Sequence, residues 1–331
     1  MGLRAVEYHD LRFTKTPITR YSSRGVPYRA WVDVGMPKIP KELLDSVFYL
    51  YQTKSDALEN RNTGGTGFIV GLPTSVAGHA HIYGISNWHV AIKHGCSVIR
   101  LNRRDGGSDI IDFDPSQWVK HPCGYDIAAC SLPVDIDRHQ ILAIMSQSFG
   151  TRAMIETWGV GPGENTFMVG RFIDHDGGPA NNPSLRFGHI SAMPSPIEQP
   201  TGVMGESYCI DLHSRTGFSG SPVFVYRTPG TNFVNDKIDI TERFLYLLGI
   251  HWGQFAEYWE VTTKTDMKKA ADAGLITEGQ YIKGMSGMTC VCPAWQIMEL
   301  LDVEVFVEER ATDDQELLNR EIENGPNAVG E

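Results

Sequence analysis

A chain of 331 residues, 41% hydrophobic and 21% charged, has an ordinary globular composition with material for about two domains, or for two packed β-barrels sharing one cleft. Its formal net charge is −11, from 29 basic and 40 acidic residues. That argues against nucleic acid as a main partner, because phosphate binding needs a basic surface. No apolar run approaches the ~18 residues of a membrane span, so no membrane partner is expected.

Residues 1–62 read as an N-terminal extension. Met1–Asp10 lacks the apolar stretch of a secretory signal, and Val6 breaks the myristoylation pattern that Gly2 begins. Pro17, Pro27, Pro37 and Pro40 punctuate a polar arm. The spacing of Leu43, Leu44, Val47, Phe48 and Tyr51 predicts a helix over Lys41–Leu58. Residues 63–145 read as short strands separated by Gly, Asn and Asp turns, a first β-barrel. Residues 146–302 read as a second. In it, Gly177–Pro183 is a loop between the strands Phe167–Ile173 and Leu185–Ile190.

Residues 254–286 form an insert whose centre, Thr265–Tyr281, is helix-like; it is either a surface excursion or a lid. Gly287–Cys292 reads as a last strand, and Pro293 opens a closing helix where its missing N–H costs nothing. The tail, 303–331, is acidic. Val303, Val305 and Val307 alternate with Glu304 and Glu308, so it begins as an edge strand and is mobile beyond Thr312. The cysteines (Cys96, Cys123, Cys130, Cys209, Cys290 and Cys292) show no zinc-ligand spacing with histidines. Free thiols fit a reducing compartment, so a cytoplasmic location is expected.

The chemistry centres on Thr216-Gly217-Phe218-Ser219-Gly220-Ser221-Pro222. It reads as a turn presenting one serine between glycines, as a nucleophile needs when backbone N–H groups must converge beside it. Ser286, in Gly284-Met285-Ser286-Gly287, is a rival that reads as a plain turn residue. A serine hydroxyl needs a base, and the base an orienting acid. Tyr83–Val90 is a strand-like run ending at His89, and Gly124-Tyr125-Asp126 leads into an apolar strand. His79, His81 and His94 compete on residue type, as do Asp109, Asp112 and Asp114, which read as solvated. His79 and His81 could share a strand face as a metal pair, but no third ligand accompanies them, so no metal is expected.

With Gly64–Val70 and Gly249-Ile250-His251-Trp252-Gly253, these motifs in the order His89, Asp126, Ser219 resemble the trypsin-like (chymotrypsin-fold) serine peptidases, closest to their glutamyl endopeptidase branch. The resemblance spans residues 63–302. It implies an all-β fold of two packed six-stranded antiparallel β-barrels with a C-terminal helix, and peptide-bond cleavage through an acyl-enzyme without a cofactor. Ser219 would be the nucleophile, His89 the base and Asp126 the orienting acid, with the N–H groups of Gly217 and Ser219 as oxyanion hole. His213, Ser214, His251, Trp252 and Gly253 would line the substrate pocket, Arg215 lies close by, and His251 would read a glutamate before the scissile bond of a protein or peptide substrate. The chain departs from the family at Phe218, where zymogen-type members carry an aspartate that receives a freed N-terminal amine. It also departs at Val90, where extracellular members carry a cysteine. Two other readings stand beside this one: a latent peptidase released by an activating partner or a cut, and a non-catalytic binding module on a peptidase fold.

Overall fold

A computed structural model describes residues 39–171, 178–214, 217–227, 232–234, 237–239, 244–260 and 281–323. The arm before residue 39, the centre of the insert (261–280), Arg215 and the end of the tail lie outside the described residues. The fold is all-β, two packed sheets with helices at the C-terminal end.

The first sheet holds eight strands against the six expected. They are β1 (Val47–Tyr51), β2 (Gly65–Pro73), β3 (Ala80–Ser86), β4 (Val98–Asn102), β5 (Ser108–Ile111), β6 (Val119–Lys120), β7 (Ala128–Ser131) and β8 (Ile144–Met145). The order is β5-β4-β1-β2-β3-β7-β6, and β8 joins β2 in parallel. The helix expected over Lys41–Leu58 is not formed. A 3₁₀ turn (Lys41–Ser46), strand β1 and a short helix α1 (Lys54–Glu59) share that span. Val47-Phe48-Tyr49-Leu50-Tyr51 is β-branched and aromatic, and all five residues are buried, so packing on both faces selects a strand between β2 and β4. The first sheet therefore begins inside the segment expected to be extension.

The second sheet is a closed six-stranded barrel in the order β10-β11-β16-β15-β12-β9. Its members are β9 (Asn165–Gly170), β10 (Ser184–Glu198), β11 (Met204–Asp211), β12 (Pro222–Arg227), β15 (Phe244–Glu260) and β16 (Tyr281–Pro293). A separate hairpin pairs β13 (Asn232–Val234) with β14 (Lys237–Asp239). Strands β15 and β16 stay paired out to Glu260 and Tyr281, so the flanks of the expected insert are ladder rather than loop.

Helix α2 (Arg152–Thr157) lies between the sheets in sequence, and α3 (Ala294–Leu301) closes the second barrel after Pro293. The tail is helix α4 (Glu304–Glu323), not an edge strand. Val305 and Val307 are exposed while Phe306 is buried against Tyr83, ring edge to face at 5.1 Å. The valine–glutamate alternation therefore does not mark a buried face. No helix among the described residues is long and apolar enough to cross a membrane.

Apolar packing fills each sheet and the space between them. Phe48, Leu50, Ile69 and Ile99 belong to the first interior, and Met168, Tyr208, Val223 and Leu248 to the second. Phe68, Ile85, Phe167, Phe224 and Cys290, with Ile297 and Leu300 of α3, form the shared core.

Candidate active site

Strand β3 ends at Ser86, and the chain turns at once into a single wide π-type turn, His89–Lys93, closed by His94 N–H donating to His89 C=O at 3.0 Å. Such turns are rare and recur at functional sites. Asp126, fully buried, receives His89 twice: the backbone N–H donates to Oδ1 at 2.8 Å and ring Nδ1 to Oδ2 at 2.6 Å. A carboxylate only accepts, so Nδ1 carries a proton and donates it to Asp126. The acid is itself held. Asn87 Nδ2 donates to Asp126 C=O at 2.9 Å, and Asp126 N–H donates to Gln199 Oε1 at 2.7 Å.

The nucleophile turn enters from the second barrel. Gly217 has φ +95° and Gly220 φ +87°, values that favour glycine. At Gly220 a Cβ would also sit 2.0 Å from Thr66 O, so nothing larger fits. Phe218 is fully buried in the second interior and anchors the turn. The turn is bonded on both sides. Thr66 N–H donates to Ser219 C=O at 2.9 Å and Thr66 Oγ1 to Gly217 C=O at 2.7 Å. Gly220 N–H donates to His251 C=O, and His251 N–H to Ser221 C=O, both at 2.9 Å. Ser219 C=O and the Val90 side chain lie against the same face of Gly65, which places the serine beside the turn that carries His89. Among the described residues the Ser219 hydroxyl has no hydrogen-bond partner, His89 included. Nucleophile–base bonds are often long before substrate arrives.

Ser214 and His251 are hydrogen-bonded to one another. Ser214 Oγ lies 2.8 Å from His251 Nε2, and His251 Nδ1 lies 3.3 Å from Cys290 C=O. The carbonyl can only accept, so Nδ1 carries the proton and the serine hydroxyl donates to Nε2. His251 is 2% exposed. Burial, the largest influence, holds its pKa down to about 4; the Cys290 carbonyl opposes this and His89 adds to it. Trp252 is buried with its indole N–H on Ser207 Oγ at 3.0 Å, and Gly253 follows it on β15.

Leu212 and Ser214 are buried and His213 between them is exposed. It lines a separate cavity of about 320 Å³ with His189, Asp211 and Tyr226. Asp109, expected to be solvated, is held instead by Arg138, then His139 and Arg103, which keep its pKa down to about 2 against the opposing effect of burial. His81 is buried rather than on the surface, 8% exposed, and its Nε2 faces Asp314 of α4 at 2.9 Å. Among the described residues no group of three or more potential ligands could hold a metal ion.

Sequence reasoning missed Thr66, Asn87 and Gln199. The glycines around Thr66 were the available signal, since they mark close approach of another chain segment.

No family model and no curated protein matches this chain. Among solved structures it is similar to the MamO protease domain from Magnetospirillum magneticum in its apo form, at 18% identity and TM-score 0.44 over 80% of this chain and 99% of that one. It is similar to the HtrA-type protease AlgW with a decapeptide, at 15% identity and TM-score 0.43 over 80% of this chain and 65% of that one. It is also similar to the active form of the Rv3671c protease from M. tuberculosis, at 16% identity and TM-score 0.42 over 87% of this chain and 91% of that one.

Proposed function

We propose that this chain is a serine endopeptidase that cleaves protein or peptide substrates, with Ser219 as nucleophile, His89 as general base and Asp126 as orienting acid. The observation that carries the reading is the two-point capture of His89 by a fully buried Asp126, which turns Nδ1 to the acid and leaves Nε2 as the ring nitrogen not engaged by it. In this reading His89 takes the serine proton as Oγ attacks the carbonyl carbon, and Asp126 steadies the imidazolium. The N–H groups of Gly217 and Ser219 stabilise the oxyanion, and His89 then protonates the leaving amine. Covalent labelling by a fluorophosphonate, lost in Ser219→Ala, is the expected result. Undiminished labelling of the alanine variant would refute the nucleophile assignment.

The pocket supports a preference for glutamate before the scissile bond. His251 is neutral and uncharged while the pocket is free, and an arriving carboxylate favours the imidazolium. The Ser214 hydroxyl, now turned to His251, can donate to the same carboxylate. Binding glutamate would therefore draw a proton onto His251, and kcat/KM for Glu over Gln should grow as pH falls from about 8 to about 6. Equal cleavage after Glu, Gln, Leu and Arg would remove the preference.

A latent form, held back until a partner or a cut releases it, is the second reading. A well-folded wild type that resists fluorophosphonate until a partner or a cut is supplied would support it. Immediate labelling of the isolated chain would end it.

A further inference from the structure

We propose that Thr66, through its side-chain hydroxyl, is the positioning residue that aligns the nucleophile turn with the catalytic base. This rests on the peptidase reading of Ser219 and His89 and adds a role that neither residue supplies.

The base and its acid belong to the first sheet and the nucleophile to the second, so their alignment depends on bonds across the seam. Thr66, on β2 and fully buried, makes those bonds with its N–H and its hydroxyl. Its N–H donates to Ser219 C=O at 2.9 Å. Its hydroxyl donates to Gly217 C=O at 2.7 Å while accepting Arg171 N–H, just past β9, at 3.2 Å. The directions are unambiguous, because a carbonyl cannot donate and an amide N–H cannot accept. One hydroxyl thus joins three segments from two sheets.

The two carbonyls held by Thr66 flank the peptide that carries the Ser219 N–H, one of the two oxyanion donors. Gly217, at φ +95°, gains little restraint from its own backbone, so the plane of its carbonyl must be set from outside. On the other side, Ser86 Oγ donates to Thr66 C=O at 2.8 Å. Ser86 precedes Asn87, which holds Asp126, which holds His89. Hydrogen bonds and adjacent backbone therefore run unbroken from Gly217 to the imidazole.

A threonine that merely filled the core would be replaceable by valine, which has the same shape. Valine here would leave Gly217 C=O without this donor and Arg171 N–H without this acceptor. Thr66→Val should lower the rate of fluorophosphonate modification of Ser219, and kcat on peptides, by about 10- to 100-fold with KM nearly unchanged. Thr66→Ser, which keeps the hydroxyl, should recover the wild-type rate to within about threefold. Amide hydrogen exchange across residues 217–221 should quicken in the valine variant and not in the serine one.

If Thr66→Val does not fold, Thr66→Ala takes its place in the same comparison. A valine variant with the wild-type rate and wild-type exchange would overturn the proposal, as would a serine variant no better than the valine. A wild type that never reacts with fluorophosphonate would defeat the peptidase reading instead, and the exchange comparison would still decide the role of Thr66.

Discussion

The two halves of the candidate site are built by different means. In the first sheet, His89 and Asp126 are bonded to one another, and Asp126 is steadied by Asn87 from a neighbouring turn; among the described residues only Gln199 reaches in from the second. In the second sheet, the nucleophile sits on a glycine turn with an aromatic anchor and depends on Thr66 from across the seam. The acid–base pair is fixed by polar bonds that outnumber its freedoms. The nucleophile turn is fixed by apolar burial and by bonds from another sheet. Damage to the first half should therefore appear in chemistry alone, and damage to the second in stability and order as well as in chemistry.

Asp126→Asn is the largest test of that division. It preserves shape and changes the tautomer imposed on His89, so turnover should fall by about 10⁴-fold with little change in melting temperature. Retained turnover would remove Asp126 from the mechanism. Phe218→Ala breaks the other half: deleting a fully buried phenyl should cost about 4 kcal/mol in urea unfolding. A loss below about 1 kcal/mol would mean that the ring does not anchor the turn.

The pocket histidine gives a smaller effect with a defined sign. His251 titrates near 4 when folded, against about 6.5 when unfolded. Between those values the unfolded chain binds more protons, so stability falls as pH drops from 6.5 toward 4 and levels off below. The contribution is about 3 kcal/mol, fully present above pH 6.5. His251→Gln should flatten that part of the pH–stability curve, and an identical slope in both proteins would contradict the buried, neutral state. The smallest effect lies farthest from the seam. Asp314→Asn, which removes the charge facing His81, should cost about 1 kcal/mol and speed amide exchange in α4. Unchanged exchange there would show that the pair does not dock the helix.

What was legible in the sequence was what local chemistry demands. Glycines around Ser219, a strand end before His89 and an apolar strand after Asp126 each follow from what those side chains must do. Ser214 and His251 were legible for the same reason, and the structure brings them within 2.8 Å. Strand β1 was not, because five consecutive apolar residues fit a helical spacing as well as a strand's. Helix α4 was misread because two exposed valines mimicked a period of two. For Thr66 the flanking glycines signalled a close approach but not its partner, since its hydroxyl bonds connect residues about 105 and 151 positions apart.

Phe218 carries one more consequence. The family resemblance places at this position an aspartate whose partner is a freed amine. Here the position is held by a phenyl ring within an apolar interior. An ionic clasp loosens in salt, because mobile counter-ions screen it. An apolar clasp is not screened by counter-ions and weakens on cooling, because apolar hydration costs less in the cold. The nucleophile turn of this chain should thus keep its order in brine and surrender it first near freezing, so that temperature rather than salt is the variable to which its serine answers.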